Sequence, residues 1–263
     1  ALGPLLAGTA VAAGLGWAAA IAALTWVASV WRHDASLVDR VWGVCIAGAG
    51  WMYLLRQPGA GALGYAMAAI ATAWALRLSL FITWRNWGHG EDRRYQAIRA
   101  RNQPHFAWRS LYLVFGLQAV LAWVVSAPLL AGATDRGGLT PWSGIGAALA
   151  VFGVGFEAVA DAQLARFKAQ ANNRGQVMDR GLWRYSRHPN YFGEACVWWG
   201  LWLMAVAGNG QLAFWSVVSP LLMTVLLLRV SGVRLQEEDI ADRRRAYRAY
   251  IRRTNAFLPG PPR

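Results

Sequence analysis

The sequence predicts an all-α, polytopic membrane protein of about seven transmembrane helices with a C-terminal interfacial helix. Three observations predict it. Hydrophobic residues make up 56% of the 263-residue chain and mean hydropathy is +0.28, more than a soluble domain of this length needs. Apolar runs of spanning length recur from end to end. The basic residues fall into alternate connections between those runs.

By length and hydropathy the spans run at 4–31, 37–55, 60–84, 108–131, 141–165, 191–207 and 212–231. The second and sixth are the shortest. One set of connections holds Arg32 and Arg40, then Arg85, Arg93, Arg94, Arg99, Arg101 and Arg109, then Arg166, Lys168, Arg174, Arg180, Arg184 and Arg187. The tail adds a further run of arginines from Arg234 to Arg263. The opposite set holds Arg56 and Arg136. The positive-inside rule therefore puts the N-terminus outside and the C-terminus in the cytoplasm. An odd number of spans gives the same answer. The polar segments 85–107, 166–190 and 232–263 all fall on the cytoplasmic side. The chain reads as one integral-membrane domain over 1–263, and the gathering of these segments on one face points to a ligand bound there. Residues Gly232–Thr254 carry good helix formers, with Ile240, Tyr247, Tyr250 and Ile251 near one face, and read as the interfacial helix.

The net formal charge of +13 points to anionic headgroups and topology rather than nucleic acid, because the arginines sit between apolar runs. The 16 tryptophans suit membrane–water interfaces. Cys45 and Cys196 lie in apolar segments and read as buried thiols. The start, Ala-Leu-Gly-Pro, reads as processed or trimmed. There is no phosphate-binding P-loop, no Gly-x-Ser-x-Gly elbow, no Cys-x-x-Cys and no dinucleotide fingerprint after a strand. His33, His89, His105 and His188 are not at metal-ligand spacing. Any nucleotide must bind among helices and loops.

The most informative stretch runs from Arg184 and Tyr185 through Arg187, His188, Pro189, Asn190 and Tyr191 to Glu194, at the cytoplasmic start of the sixth span. Pro189 suits a first helical turn, whose unpaired N–H groups favour an anion. Asn190 and Glu194 share a helix face, and Glu194 lies one turn below the surface. A ligand with phosphate, sugar and amide groups would satisfy the set; a helix cap with snorkelling arginines is the plainer reading. In the fifth span Glu157 and Asp161 share a face that Leu164 and Lys168 continue. They serve either cofactor ribose and amide groups or an ion pair with Arg77. The segment from Arg85 and Asn86 to Glu91, Asp92, Arg94 and Tyr95 is either a loop tied by local salt bridges or one closing over a cofactor. Asp39, at the start of the second span, is either an acid at a substrate cavity or a partner of Arg40.

Arg187-His188-Pro189-Asn190-Tyr191 with Gly193-Glu194 resembles the C-terminal signature of the steroid 5-alpha-reductase family, and especially its bacterial branch of uncharacterised membrane proteins. Glu91-Asp92-Arg93-Arg94-Tyr95 and Val38-Asp39-Arg40-Val41-Trp42-Gly43 resemble motifs of that branch. Tyr247-Arg248-Ala249-Tyr250 through Phe257-Leu258-Pro259 resembles the family's tail. The resemblance implies a seven-helix fold that holds NADPH in its cytoplasmic half. It implies hydride transfer to an activated C=C bond of a lipid-soluble, steroid-like substrate entering from the bilayer. Asn190 and Glu194 match family cofactor contacts, Asp161 an acidic contact, and Lys168 stands near a family Arg. Glu157 stands where the animal enzymes have Asn, and Asn86 matches a cofactor loop loosely. Asp39 is the nearest counterpart of the catalytic Glu. The catalytic Tyr falls near Trp74, which has no hydroxyl, leaving Tyr53 or Tyr65 as substitutes. Isoprenylcysteine carboxyl methyltransferases carry a related signature, and Arg234 with Glu237 and Glu238 resembles their tail. An S-adenosylmethionine-dependent methyltransferase is thus the rival enzyme, and a lipid-binding protein the non-enzymatic alternative.

Overall fold

The computed structural model describes residues 3–230 and 245–263, and every described element is helical or irregular. Helix α1 spans Gly3–Arg32, α2 Leu37–Arg56, α3 Ala62–Arg85 and α4 Arg93–Arg101. A continuous helix follows over Phe106–Val125: α5 (Phe106–Ser110), a π-helical stretch (Leu111–Gly116) and α6 (Leu117–Val125). Next come α7 (Ala127–Thr134), α8 (Pro141–Ala169), α9 (Pro189–Asn209), α10 (Val218–Val225) and α11 (Arg245–Arg253). Among the described residues, five helical stretches are long and apolar enough to cross a membrane: Gly8–Arg32, Ala62–Arg85, Phe106–Val125, Pro141–Ala169 and Pro189–Arg229. The protein is an all-α polytopic membrane protein.

Three departures from the expected spans have local causes. The expected span 108–131 breaks at Ser126, because Pro128 in the first turn of α7 has no N–H to continue the ladder. The polar segment 85–107 contains α4, started by Asp92, whose carboxylate accepts the Arg94 N–H at 2.9 Å. Helix α9 runs to Asn209, into the expected gap 208–211, and a 3-10 stretch, Gly210–Val217, entered through Gly210 at φ +58°, takes up the start of the expected seventh span. Of the expected interfacial helix, Arg245–Arg253 is helical; Gly232 and Ile240 lie outside the described residues.

The chain forms two compact units. The first comprises Ala1–Gly144 and Met204–Ser219. In it α1 packs on α2, α2 on α3, α6 on α1 and α2, and α7 on α2 and α3. Ile46, Tyr53, Leu63, Met67, Trp74 and Phe115 fill its core. The Tyr53 hydroxyl and Ser126 Oγ share a 2.6 Å hydrogen bond there, which ties α2 to the α6–α7 break. Helix α1 ends where His33 turns into the left-handed region (φ 52°), and the Asp34 N–H donates to Ser29 O at 3.0 Å.

The second unit comprises Ile145–Leu203 and Pro220–Arg263. Helices α8 and α9 run antiparallel in it: Gly193 meets Glu157 and Gly153, while Gly200 meets Ala150 and Gly146. A Cβ at Gly193 would stand 2.7 Å from Glu157 N and 2.8 Å from Gly153 O. Only glycine allows this approach, as in close membrane helix pairs generally. The α8–α9 connection is fixed by Gln163, whose Oε1 accepts the Leu182 N–H at 2.9 Å, and by Trp183, whose Nε1 donates to Ala160 O at 2.9 Å.

Candidate functional site

The glycine seam determines what the second unit brings together. Glu157, Asp161 and Glu194 are buried, at 2%, 5% and 8% exposure. Asp161 and Asn190 face each other across the seam, and Asn190 Nδ2 donates to Asp161 Oδ1 at 3.2 Å. Asn190 Oδ1 is also buried and has no hydrogen-bond partner. A buried amide oxygen in that state costs about 1–3 kcal/mol unless a donor arrives. The sequence identified all four residues; the seam that brings Asp161 against Asn190 it did not reveal.

Pro189 occupies the first turn of α9, as expected, and His188 is buried and stacks on Tyr191, ring centroids 5.3 Å apart. The His188 N–H donates to Ser186 Oγ, which in turn donates to Phe257 O. Arg187 does something the sequence did not indicate. Its Nη1 donates to Ile251 O at 3.0 Å and Thr254 O at 2.5 Å, so it caps the C-terminal end of α11. Its N–H donates to Asn255 O, and the Gly260 N–H donates to Tyr185 O, which sews the chain's tail onto the start of α9. Tyr185 and Arg184 are exposed, as is Lys168 near the end of α8.

The first unit gathers the other candidates into a clasp. Asp39 accepts from the Tyr95 hydroxyl on Oδ1 at 2.6 Å and from Arg94 Nη2 on Oδ2 at 3.0 Å. Arg94 Nε also donates to Asp92 Oδ1 at 3.0 Å. Arg40, the partner considered for Asp39, lies 3.8 Å from Asp34 instead. Glu91 accepts two hydrogen bonds from Arg99, each at 2.8 Å, and one from the Ala35 N–H at 2.8 Å. Arg99 also lies over the Phe106 ring at 4.4 Å. The salt-bridged-loop reading of this segment thus describes its geometry. Asn86 closes α3 and accepts from Arg85 Nε. Arg99 was read in the sequence only as a cytoplasmic charge, since no helical spacing links it to Glu91; Asp34 was legible as an Asx turn, its carboxylate accepting the Ser36 N–H at 2.9 Å.

Electrostatics follow from these contacts. Burial works against the charge on Glu91, but the bonds from Arg99 and Ala35 outweigh it and hold the carboxyl below its ordinary value. Asp92 is likewise held low, its desolvation outweighed by the Arg94 side-chain and main-chain donors. The Tyr95 phenol is pushed well up, by burial first and by the Asp39 charge second. Burial opposes the charge on Arg94, yet the Asp39 carboxylate more than restores it.

A family model for proteins of unknown function, DUF1295, matches residues 25–254, which span both clusters. The chain belongs to the DUF1295 family. It is also similar to an uncharacterized protein of Schizosaccharomyces pombe, 25% identical over 269 residues, covering 89% of this chain and 75% of that protein. No solved structure matches. In this DUF1295 chain the family match takes in Asp39, the α4 clasp, the α8–α9 seam and the start of α9 together.

Proposed function

We propose that the protein is an NADPH-dependent reductase of an activated C=C bond in a lipid-soluble, steroid-like substrate. The observation that carries this reading is the buried α8–α9 cluster, with Asn190 Oδ1 held inside it and lacking a donor. Acids within an apolar helix pair mark ligand sites more often than they serve packing. A dinucleotide's ribose hydroxyls and carboxamide offer the donors that Glu157, Asp161, Glu194 and Asn190 Oδ1 accept. The bound cofactor would supply a hydride to the carbon beta to the substrate's carbonyl. The chain's part is to hold that cofactor, to exclude water and to manage the proton that reaches the alpha carbon. We assign the proton role to Asp39. Its Tyr95 partner supplies a buried hydroxyl beside this acid; Trp74 has no hydroxyl, and that of Tyr53 is bonded to Ser126.

We further read the chain as seven spans with the N-terminus outside. Helix α2 has 20 residues, about 30 Å of helix, and Pro189–Arg229 has 41, about twice the bilayer core. The decisive experiment is calorimetry of the purified protein with NADPH and with S-adenosylmethionine. NADPH binding that weakens about tenfold or more in Asn190→Ala and Glu194→Ala, with folding intact, supports the reading. S-adenosylmethionine binding alone would assign the methyltransferase, and binding of neither the lipid-binding alternative.

A further inference from the structure

The chain's tail builds a second feature that the reductase reading does not use. An open cavity of about 300 Å³ lies in the second unit, lined by Asp179, Arg184, Arg253, Thr254 and Pro262. Each wall is held from behind. Arg184 ends the 3-10 turn Gly181–Arg184, which Gln163 and Trp183 fix to α8. Arg253 ends α11, its carbonyl accepts the Arg263 N–H at 2.8 Å, and its side chain pairs with Asp179.

Among the described lining residues the charge balance is positive. Arg253 Nη2 is engaged by Asp179, which offsets one charge, while Arg184 is exposed and has no ion-pair partner among the described residues. Of the carbonyls at the end of α11, which would oppose an anion, Ile251 O is taken up by Arg187 and Arg253 O by the Arg263 N–H. What remains is one uncompensated guanidinium and the outer N–H groups of a second, on a frame that does not need to reorganise. Planar N–H forks match the terminal oxygens of phosphate, whose larger charge and additional oxygens let one group meet two guanidinium groups at once.

We infer that this tail cavity is a phosphate-binding site, seating the phosphate group of a phosphorylated ligand on Arg184 and Arg253. A dinucleotide and a phospholipid headgroup both carry that chemistry. The site stands independently of the α8–α9 cluster, and a dinucleotide seated on it would extend the reductase reading.

The test titrates the full-length protein in neutral detergent with pyrophosphate and with NADPH, and in nanodiscs compares phosphatidylglycerol with phosphatidylcholine. Arg184→Gln should weaken binding of whichever phosphate probe occupies the cavity about tenfold, and Arg184→Lys should restore part of it. Asp179→Asn, which deletes the one negative charge among the described lining residues, should strengthen the same binding a few-fold, and both effects should shrink as salt rises. A purely structural role cannot give opposite signs for the two substitutions in proteins of equal melting temperature. If no phosphate probe responds to Arg184→Gln, the inference is overturned. NADPH binding untouched by these variants but lost in Asn190→Ala, with pyrophosphate and phosphatidylglycerol equally indifferent to Arg184→Gln, sinks the tail site and leaves the reductase reading standing. Pyrophosphate binding that follows Arg184 in a protein that never binds NADPH does the reverse.

Discussion

Substituting Gly193 by Ala tests the seam most sharply. The new Cβ would stand 2.7 Å from Glu157 N and 2.8 Å from Gly153 O, both main-chain atoms that cannot rotate away. Ordinary contact begins near 3.4 Å, so α8 and α9 must separate by about 0.7 Å. The Asn190–Asp161 bond, already 3.2 Å, is at the long end of its range and cannot survive that displacement. Overpacking of this kind costs about 1–3 kcal/mol, or a fall of roughly 2–10 °C in melting temperature for a chain of this size. Gly200→Ala is the control: its Cβ would stand 2.5 Å from Ala150 N on the same seam, remote in sequence from Asn190. Melting in detergent, followed by NADPH titration, should show both variants destabilised and only Gly193→Ala stripped of cofactor affinity. Equal melting temperature and affinity in Gly193→Ala and the parent would refute the seam argument; equal loss of affinity in both variants would refute the link from seam to site.

Three further outcomes follow. Asp39→Asn should abolish NADPH oxidation on a panel of lipid enones while NADPH affinity stays within about twofold; unchanged turnover removes Asp39 from the chemistry. Tyr95→Phe deletes one of the two partners of Asp39 and should lower kcat with little change in cofactor affinity, measured on the same panel. Glu91 is held below its ordinary value of 4.5, so its tie to Arg99 and Ala35 is intact above that pH and fades as pH falls through the lowered value. Limited proteolysis of the 86–101 segment should therefore accelerate below about pH 4.5 in the parent, whereas Glu91→Gln should be cut readily at neutral pH as well.

The long elements were legible because length and hydropathy alone define a span: α1, α3 and α8 lie within a few residues of where the apolar runs put them. The break at Ser126 was missed although Pro128 announces it, because a hydropathy window averages across one proline. Helix α4 was missed because a nine-residue segment with four arginines has no apolar period to read; its signal was Asp92 as an N-cap. Glu157, Asp161, Asn190 and Glu194 were legible one by one, as acids and an amide out of place in apolar helices. The contact of Asp161 with Asn190 was not, since it depends on Gly153 and Gly193 from segments forty residues apart. Arg187 shows the opposite limit. Its charge was plain in the sequence, but its partners are main-chain carbonyls, which every residue carries and no sequence pattern marks.

The measurement that bears most directly on the central claim is mass spectrometry of gently purified protein, compared with its Asp161→Asn, Asn190→Ala double variant. The account predicts a co-purified nicotinamide dinucleotide phosphate on the parent chain and none on the variant. A dinucleotide retained by the variant, or a parent that carries no dinucleotide and takes up none from added NADPH, would contradict it.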